Sequence, residues 1–250
     1  MPPRTGPPEP GYAIAKNILV PFLATWFRWH IEGVEHIPAT GPAIIACNHI
    51  SYLDPLAIAY AVNNNGRRPR FLAKSGLFKY PVIGWILKSA RQIPVDRGSR
   101  NAPQSLDHAE AALNQGEAVI VFPEGTTTTS PELTPLRPKT GISRLVAKTG
   151  LPVIPVATWG GQWFWTKHLG VHAAPGKDMW VRFGPPIPFK EYEGREDDRL
   201  AWREIADRVM DEISILLAGL KAARPWTPQE PTRKKFINQQ EDATRFEDRS

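Results

Sequence analysis

The stretch Ala43-Ile44-Ile45-Ala46-Cys47-Asn48-His49-Ile50-Ser51-Tyr52-Leu53-Asp54-Pro55 decides the fold. Five apolar residues stop abruptly at a polar segment that carries a histidine and, five positions on, an aspartate. An unbroken apolar run of this length suits a strand covered on both faces, as in a parallel sheet. Pro55 suits the first turn of a helix reaching about Val62. The pattern returns at Ala118–Phe122 (AVIVF), which leads into Pro123-Glu124-Gly125-Thr126. Working outward, Gly33–Pro38, Arg70–Ala73, Gln92–Val95, Leu151–Ala157 and Asp178–Gly184 read as further strands. The two prolines of the 151–157 run predict a bulge or a sheet edge. Leu77–Ser89 reads as a helical hairpin or loop, and Ala102–Gln115, Gly141–Lys148 and 195–223 as helices. The last has the apolar stripe Leu200, Ile205, Val209, Ile213, Leu216 and Leu220 at helical spacing. Strands alternating with helices predict an α/β fold, a single domain with a central mixed β-sheet flanked by helices. In such sheets sites form at strand ends.

The length of 250 residues fits one domain and can bury a core without a staple. The single cysteine excludes an intramolecular disulfide framework and a Cys-rich zinc site. No segment reads as a secretory signal, and no apolar run is long enough to span a bilayer. Residues 1–11 are proline-rich and predict a disordered N-terminus. Residues 12–30 predict an N-terminal membrane-interfacial helical segment with a break or kink at Pro21. There Trp26, Phe27 and Trp29 flank Arg28, as in a helix lying at a bilayer surface. A helix packed on the core is the plainer alternative. Residues 31–224 form the domain proper, and 225–250 predict a flexible polar tail.

Positive charge is concentrated. Nine basic residues lie between Arg67 and Arg100 against one acid, Asp96, so this segment is more positive than the whole chain at +6. Apolar and aromatic residues interleave it. Such a segment can hold nucleic acid, anionic lipid or a phosphorylated substrate, or be a solvated face. No nucleic-acid recognition motif accompanies it.

At the first strand end, the spacing can set the Asp54 carboxylate against one imidazole nitrogen of His49 and leave the other as a base. A structural pair at a helix start fits the same spacing. Cys47 closes an apolar run and reads as a packed thiol. No cysteine cluster or second nearby histidine supports a metal at His49 and Asp54. At the second strand end, a carboxylate, a glycine and several hydroxyls suit polyol or phosphate recognition, or merely a capped turn.

Together the two strand ends are more specific. His49-x4-Asp54, then Ile93-Pro94-Val95-Asp96-Arg97-Gly98, then Phe122-Pro123-Glu124-Gly125-Thr126, then Val153-Ile154-Pro155-Val156, appear in this order. This succession over about residues 30–190 resembles the glycerolipid acyltransferase family, of the bacterial 1-acylglycerol-3-phosphate acyltransferase type. The resemblance implies transfer of an acyl chain from an acyl thioester, acyl-CoA or acyl carrier protein, to a lysophospholipid hydroxyl. It implies no other cofactor and no metal, and direct attack without an acyl-enzyme. His49 would be the base and Asp54 its orienting partner. Arg97, Glu124, Gly125 and Thr126 would hold the acceptor's glycerol phosphate, with Lys74 as a second anion contact. The family's third block usually continues with Arg, and here Thr127 stands in that place. Arg137 and Lys139 could supply the missing charge. That departure leaves other lysophospholipids, glycerol 3-phosphate or a glycolipid open as acceptors. The expected location is the cytoplasmic face of the cell membrane, peripheral or monotopic, against an anionic surface. A catalytically silent lipid-binding protein is the alternative from another class.

Overall fold

The computed structural model describes residues 9–96, 102–166, 170–172 and 174–225. Seven strands form one sheet: β1 (Phe27–Glu32), β2 (Ala43–Cys47), β3 (Pro69–Lys74), β4 (Ile93–Val95), β5 (Ala118–Val121), β6 (Val153–Trp159) and β9 (Lys177–Phe183). Two short strands, β7 (Trp165–Thr166) and β8 (Gly170–Val171), make a separate hairpin. The order across the sheet is β1-β9-β6-β2-β5-β3-β4. β6, β2, β5, β3 and β4 run parallel, while β9 meets β6 antiparallel and β1 lies parallel to β9. The sheet is therefore mixed, as the alternation of elements predicts.

The unbroken apolar runs follow from two-sided burial. Along β2, Ile45 and Cys47 face the layer made by α1 (Pro10–Trp26) and α2 (Asp54–Asn64), where Leu23, Ala57 and Ile58 meet them. Ile44 and Ala46 face the opposite layer, made by α4 (Ala102–Asn114), α5 (Gly141–Thr149) and α6 (Arg199–Ala223). A strand with no solvent face has no position for a polar side chain. Asp198 caps α6 by accepting from Leu200 N at 2.8 Å and Ala201 N at 3.3 Å.

Several local expectations change. The N-terminal helix ends at Trp26, and Phe27 to Glu32 form an edge strand. Burial alternates residue by residue there, with Phe27, Trp29 and Ile31 turned inward and Arg28, His30 and Glu32 outward. That is a strand's period rather than a helix's. Pro21 lies inside α1 without ending it. Gly33–Pro38 contains a short 3-10 turn at Val34–His36 rather than a strand.

Pro152, just before β6, and Pro155, within it, do not put the strand at an edge, since β6 lies between β2 and β9. Pro155 O accepts from Gly184 N at 2.8 Å, so the backbone face of Pro155 that lacks an N–H looks toward β9, where the ladder is just beginning. The β2 side of β6 loses nothing. On α6 the buried stripe is Ala201, Ile205, Val209, Ile213, Leu217 and Leu220, while Leu200 is exposed. Between β3 and β4, a 3-10 turn at Ser75–Lys79 leads into α3 (Pro81–Ser89), which packs along α1. Gly11 permits the approach, because a Cβ there would lie 1.9 Å from Ser89 Oγ.

Candidate active site

β2 and β5 lie side by side and parallel, so the polar segments that follow them emerge at the same edge of the sheet. Asn48, wholly buried, ties the end of β2 to β6: its Nδ2 donates to Thr158 O at 3.1 Å and its Oδ1 accepts from Thr158 N at 2.8 Å. The next residue, His49, leaves the sheet.

Asp54 opens α2 and is fully buried. Its Oδ2 accepts from Ile50 N and Ser51 N, each at 2.7 Å, and lies 3.1 Å from His49 Nδ1. Its Oδ1 accepts from the Thr158 hydroxyl at 3.0 Å. An oxygen that already accepts two N–H groups acts as an acceptor toward the ring as well, so Nδ1 carries the hydrogen. Nε2 is left with its lone pair. The ring is held from the side by Phe122, stacked at 4.4 Å between centroids. The His–Asp spacing thus yields the contact read from the sequence.

Glu124 works on the same histidine from behind. It is 1% exposed; its Oε1 accepts from His49 N at 2.7 Å and its Oε2 from Leu136 N at 2.7 Å. Burial pushes its carboxyl up to about 7, against the pull of those two backbone N–H groups. Both oxygens of Glu124 are therefore engaged within the protein. Gly125 makes the turn after β5 with φ +73°, a conformation other residues rarely adopt. Thr126 is exposed beside the cavity described below. Thr127 is 4% exposed, and its Oγ1 lies 3.3 Å from His49 Nε2.

A cavity of about 550 Å³ begins at His49, Phe122, Thr126 and Thr127 and runs between α1, α2, β3 and α3. Its walls are mostly apolar, with Leu19 and Leu23 from α1, Leu56 and Tyr60 from α2, and Leu72 and Leu87 across from them. Lys74, exposed at the end of β3, also borders it. Arg137 and Lys139 are exposed and do not line it. Lys139 N donates to Pro123 O at 2.8 Å, and its side chain lies over Gly125. Arg97 lies outside the described residues.

The basic segment divides in space. Arg67 donates to Pro38 O, Gly41 O and Gly116 O, and Arg70 pairs with Glu9 and Glu117. Arg68 pairs with Glu9 and Arg91 with Glu117. These four residues sit at the opposite edge from His49 and cement the fold. The aromatic run that follows the fourth motif, Trp159, Trp163, Phe164 and Trp165, which its sequence suggests as an acyl groove, an interface contact or ordinary core, does not line the cavity either. Trp159 is fully buried against Trp163, which contacts Trp180 in turn.

Sequence reasoning missed Asn48, Thr158 and the Thr127 contact. Asn48 could have been noticed as the polar residue next to the histidine. Thr158 gave no signal, being 104 residues from the carboxylate that it holds.

An imidazole with one nitrogen fixed by a buried carboxylate and the other at the mouth of an apolar cavity defines a site for base chemistry beside a long apolar ligand. The sequence profile of the family described as Acyltransferase matches residues 28–159, and the chain belongs to that family. It is 32% identical over 137 residues to the chloroplast 1-acyl-sn-glycerol-3-phosphate acyltransferases of Brassica napus and of Arabidopsis thaliana. The match covers 54% of this chain and 38% and 37% of theirs, so it spans under two fifths of those relatives. The crystal structure of the 1-acyl-sn-glycerophosphate acyltransferase PlsC from Thermotoga maritima has a TM-score of 0.60 at 25% identity, covering 87% of this chain and 80% of that one.

Proposed function

We propose that this protein moves a fatty acyl chain from an acyl thioester, acyl-CoA or acyl carrier protein, to the hydroxyl of 1-acylglycerol 3-phosphate, forming phosphatidic acid. The observation that carries the reading is His49 Nε2, oriented through Asp54, at the mouth of the apolar cavity. The acceptor in the names of the plant relatives and of PlsC supports this choice. In this reading the acyl chain lies in the cavity with its carbonyl beside His49. The base takes the proton of the attacking hydroxyl, and the bond to Asp54 stabilises the imidazolium that results. Glu124 keeps the histidine backbone in place. Lys74, at the cavity mouth, and Arg97 supply positive charge for the acceptor's phosphate.

Peripheral contact with a membrane is part of the proposal. Ile14, Ile18 and Phe22 on α1 and Tyr80, Val82 and Trp85 at α3 are large apolar side chains exposed on two helices packed together. That patch adjoins the cavity and suits an amphiphilic substrate arriving from a bilayer surface. Among the described residues no helix is long and apolar enough to cross a membrane.

Thiol release from acyl-CoA, measured with lysophosphatidic acid, lysophosphatidylcholine and glycerol 3-phosphate as acceptors, tests the reading. Lysophosphatidic acid is expected to give the fastest release. His49→Ala should lower it about 10²–10⁴-fold, the range of positioned base catalysis. Unchanged turnover in His49→Ala would sink the mechanism, and no release with any acceptor would favour the silent lipid-binding alternative.

A further inference from the structure

We propose that a second, charged cavity beside the active site takes the phosphate at the end of the donor's phosphopantetheine arm, a group that acyl-CoA and acyl carrier protein share. The proposal rests on the acyltransferase reading above and adds where the donor is held. The cavity has a volume of about 640 Å³ and lies among the 3-10 turn Gly161–Trp163, the starts of β1 and β9, and the residues that follow α6. Arg28, Gln162, Trp163, Lys177, Asp178 and Arg224 border it.

Two observations point to an anion. Gln162 is wholly buried; its Oε1 accepts from Gly160 N at 2.8 Å, while its Nε2 has no partner in the protein. A desolvated N–H group of this kind calls for an acceptor, and a ligand oxygen is one. The charge has the matching sign. Arg28 donates to both oxygens of Asp178, at 2.9 and 2.7 Å, so the bordering acid is already answered. Lys177 Nζ donates to Trp163 O, and to His172 O at 2.8 Å, two uncharged carbonyls, and burial pulls its ammonium down. Arg224 lies over the Trp180 ring at 5.4 Å, facing an aromatic rather than a carboxylate. A phosphate brings acceptor oxygens to Gln162 and negative charge to both cations.

The cavity is coupled to the histidine loop. Ser51 Oγ donates to Trp165 O at 2.6 Å, and Gly161 packs so closely on Ser51 that a Cβ would lie 2.8 Å from its side chain. Tyr52 borders the apolar cavity, and its ring lies 5.1 Å from that of Trp165, both rings being exposed. Trp163, two residues before Trp165 and within about 7 Å of it by backbone length, borders the charged cavity. From thioester sulfur to phosphorus the arm has about thirteen bonds, the length of roughly four extended residues or about 14 Å. With the acyl carbonyl at His49, the arm reaches from one cavity to the other over the Tyr52–Trp165 pair.

This placement keeps the two phosphates apart. In the order β1-β9-β6-β2-β5-β3-β4, Lys74 ends β3 on one side of β2, and the charged cavity lies at β9 and β1 on the other. Acceptor and donor then approach His49 from opposite sides, which suits direct attack of one upon the other.

The experiment varies the donor, so that its first comparison needs no variant. Thiol release with lysophosphatidic acid is measured for palmitoyl-phosphopantetheine and for palmitoyl-pantetheine, which lacks the phosphate. Loss of the phosphate should lower kcat/KM at least about tenfold, through KM rather than kcat, because the group binds away from the reacting atoms. In the double variant Lys177→Gln with Arg224→Gln, the two donors should fall within about threefold of each other; a merely structural loss would lower both and keep their ratio. A smaller gap in the wild type, or a gap that the double variant keeps, would overturn the proposal and leave the acyltransferase reading standing. Where the gap appears, palmitoyl-CoA against palmitoyl carrier protein shows which source supplies the phosphate, the preferred donor having the KM that the double variant raises. No thiol release from the wild type with any donor would defeat the acyltransferase reading and the proposal with it.

Discussion

At the edge of the sheet where the parallel strands begin, Arg70 is buried between Glu9 and Glu117. At the edge where they end, His49 is held by Asp54 and Glu124. Both clusters bury charge beside a strand terminus, yet they differ in what is left over. All five N–H groups of Arg70 are matched: Glu9 accepts two at 2.6 and 2.7 Å, Glu117 accepts two at 2.8 Å, and Ala90 O accepts one at 2.7 Å. Nothing remains to meet a ligand, and the cluster welds the start of α1 to β3 and to the residue before β5. At the other edge every oxygen of Asp54 and Glu124 is matched too, but the histidine they fix keeps Nε2 at the cavity, with only the Thr127 hydroxyl, 3.3 Å away, beside it. A buried polar cluster becomes a site when its geometry leaves one reactive atom within reach of a ligand.

The comparison can be broken most forcefully at Arg70. Arg70→Ala takes the shared guanidinium from buried Glu9 and half-buried Glu117, leaving them only Arg68 and Arg91, and should cost about 3 kcal/mol. Differential scanning calorimetry should show a fall in melting temperature on the order of 10 °C. Thiol release per folded molecule should stay unchanged; a comparable loss of activity would erase the distinction between the two edges.

A smaller effect should follow at Glu124. Glu124→Gln places an amide N–H group against the backbone N–H of either His49 or Leu136, costing about 1–3 kcal/mol. Here kcat should fall more than the donor KM rises, because the histidine and not the substrate is disturbed. A pure rise in acceptor KM would instead make Glu124 a substrate contact, as the family resemblance implies.

The two buried glutamates should also carry opposite pH signatures. Burial raises the Glu9 carboxyl, but its hydrogen bonds and charge pairing with Arg70 and then Arg68 outweigh that and hold it below its ordinary 4.5. Its contribution is full above that ordinary value and is lost as pH falls through the lower folded value. Glu124 titrates at about 7 in the folded protein, above its ordinary 4.5. The folded state then keeps a proton that the unfolded chain has released, so stability falls as pH rises from 4.5 to 7 and levels above. Urea melts carried from well below pH 4.5 to above pH 7 should show Glu124→Gln flattening the slope between 4.5 and 7 and Glu9→Gln flattening the acid limb below 4.5. The same slope in both variants would contradict the assignment.

Much of the site was legible because its parts are local. His49 and Asp54 lie within one turn of chain, and a strand end followed by a helix start leaves few ways to arrange them. The apolar runs at 43–47 and 118–122 were equally plain, since a strand buried on both faces admits no polar residue. What misled were patterns whose meaning depends on a distant partner. Phe27–Glu32 followed on directly from a helix and became a strand only by pairing with β9, about 150 residues away. Pro152 and Pro155 looked like an edge signal, but Pro152 precedes β6 and the offset of β9 turned Pro155 to the side where no N–H was needed.

The sequence by itself determined the α/β alternation, the buried strands and the His49–Asp54 pair, because each is set by spacing within a few residues. Tertiary structure alone decided that Arg67 and Arg70 are mortar rather than a phosphate trap. It alone brought Thr158 to Asp54 and Thr127 to His49 Nε2, and opened the apolar cavity at their side. Those are contacts between segments that meet only when the strands align, and no local pattern of charge or hydropathy encodes which side chain will face which.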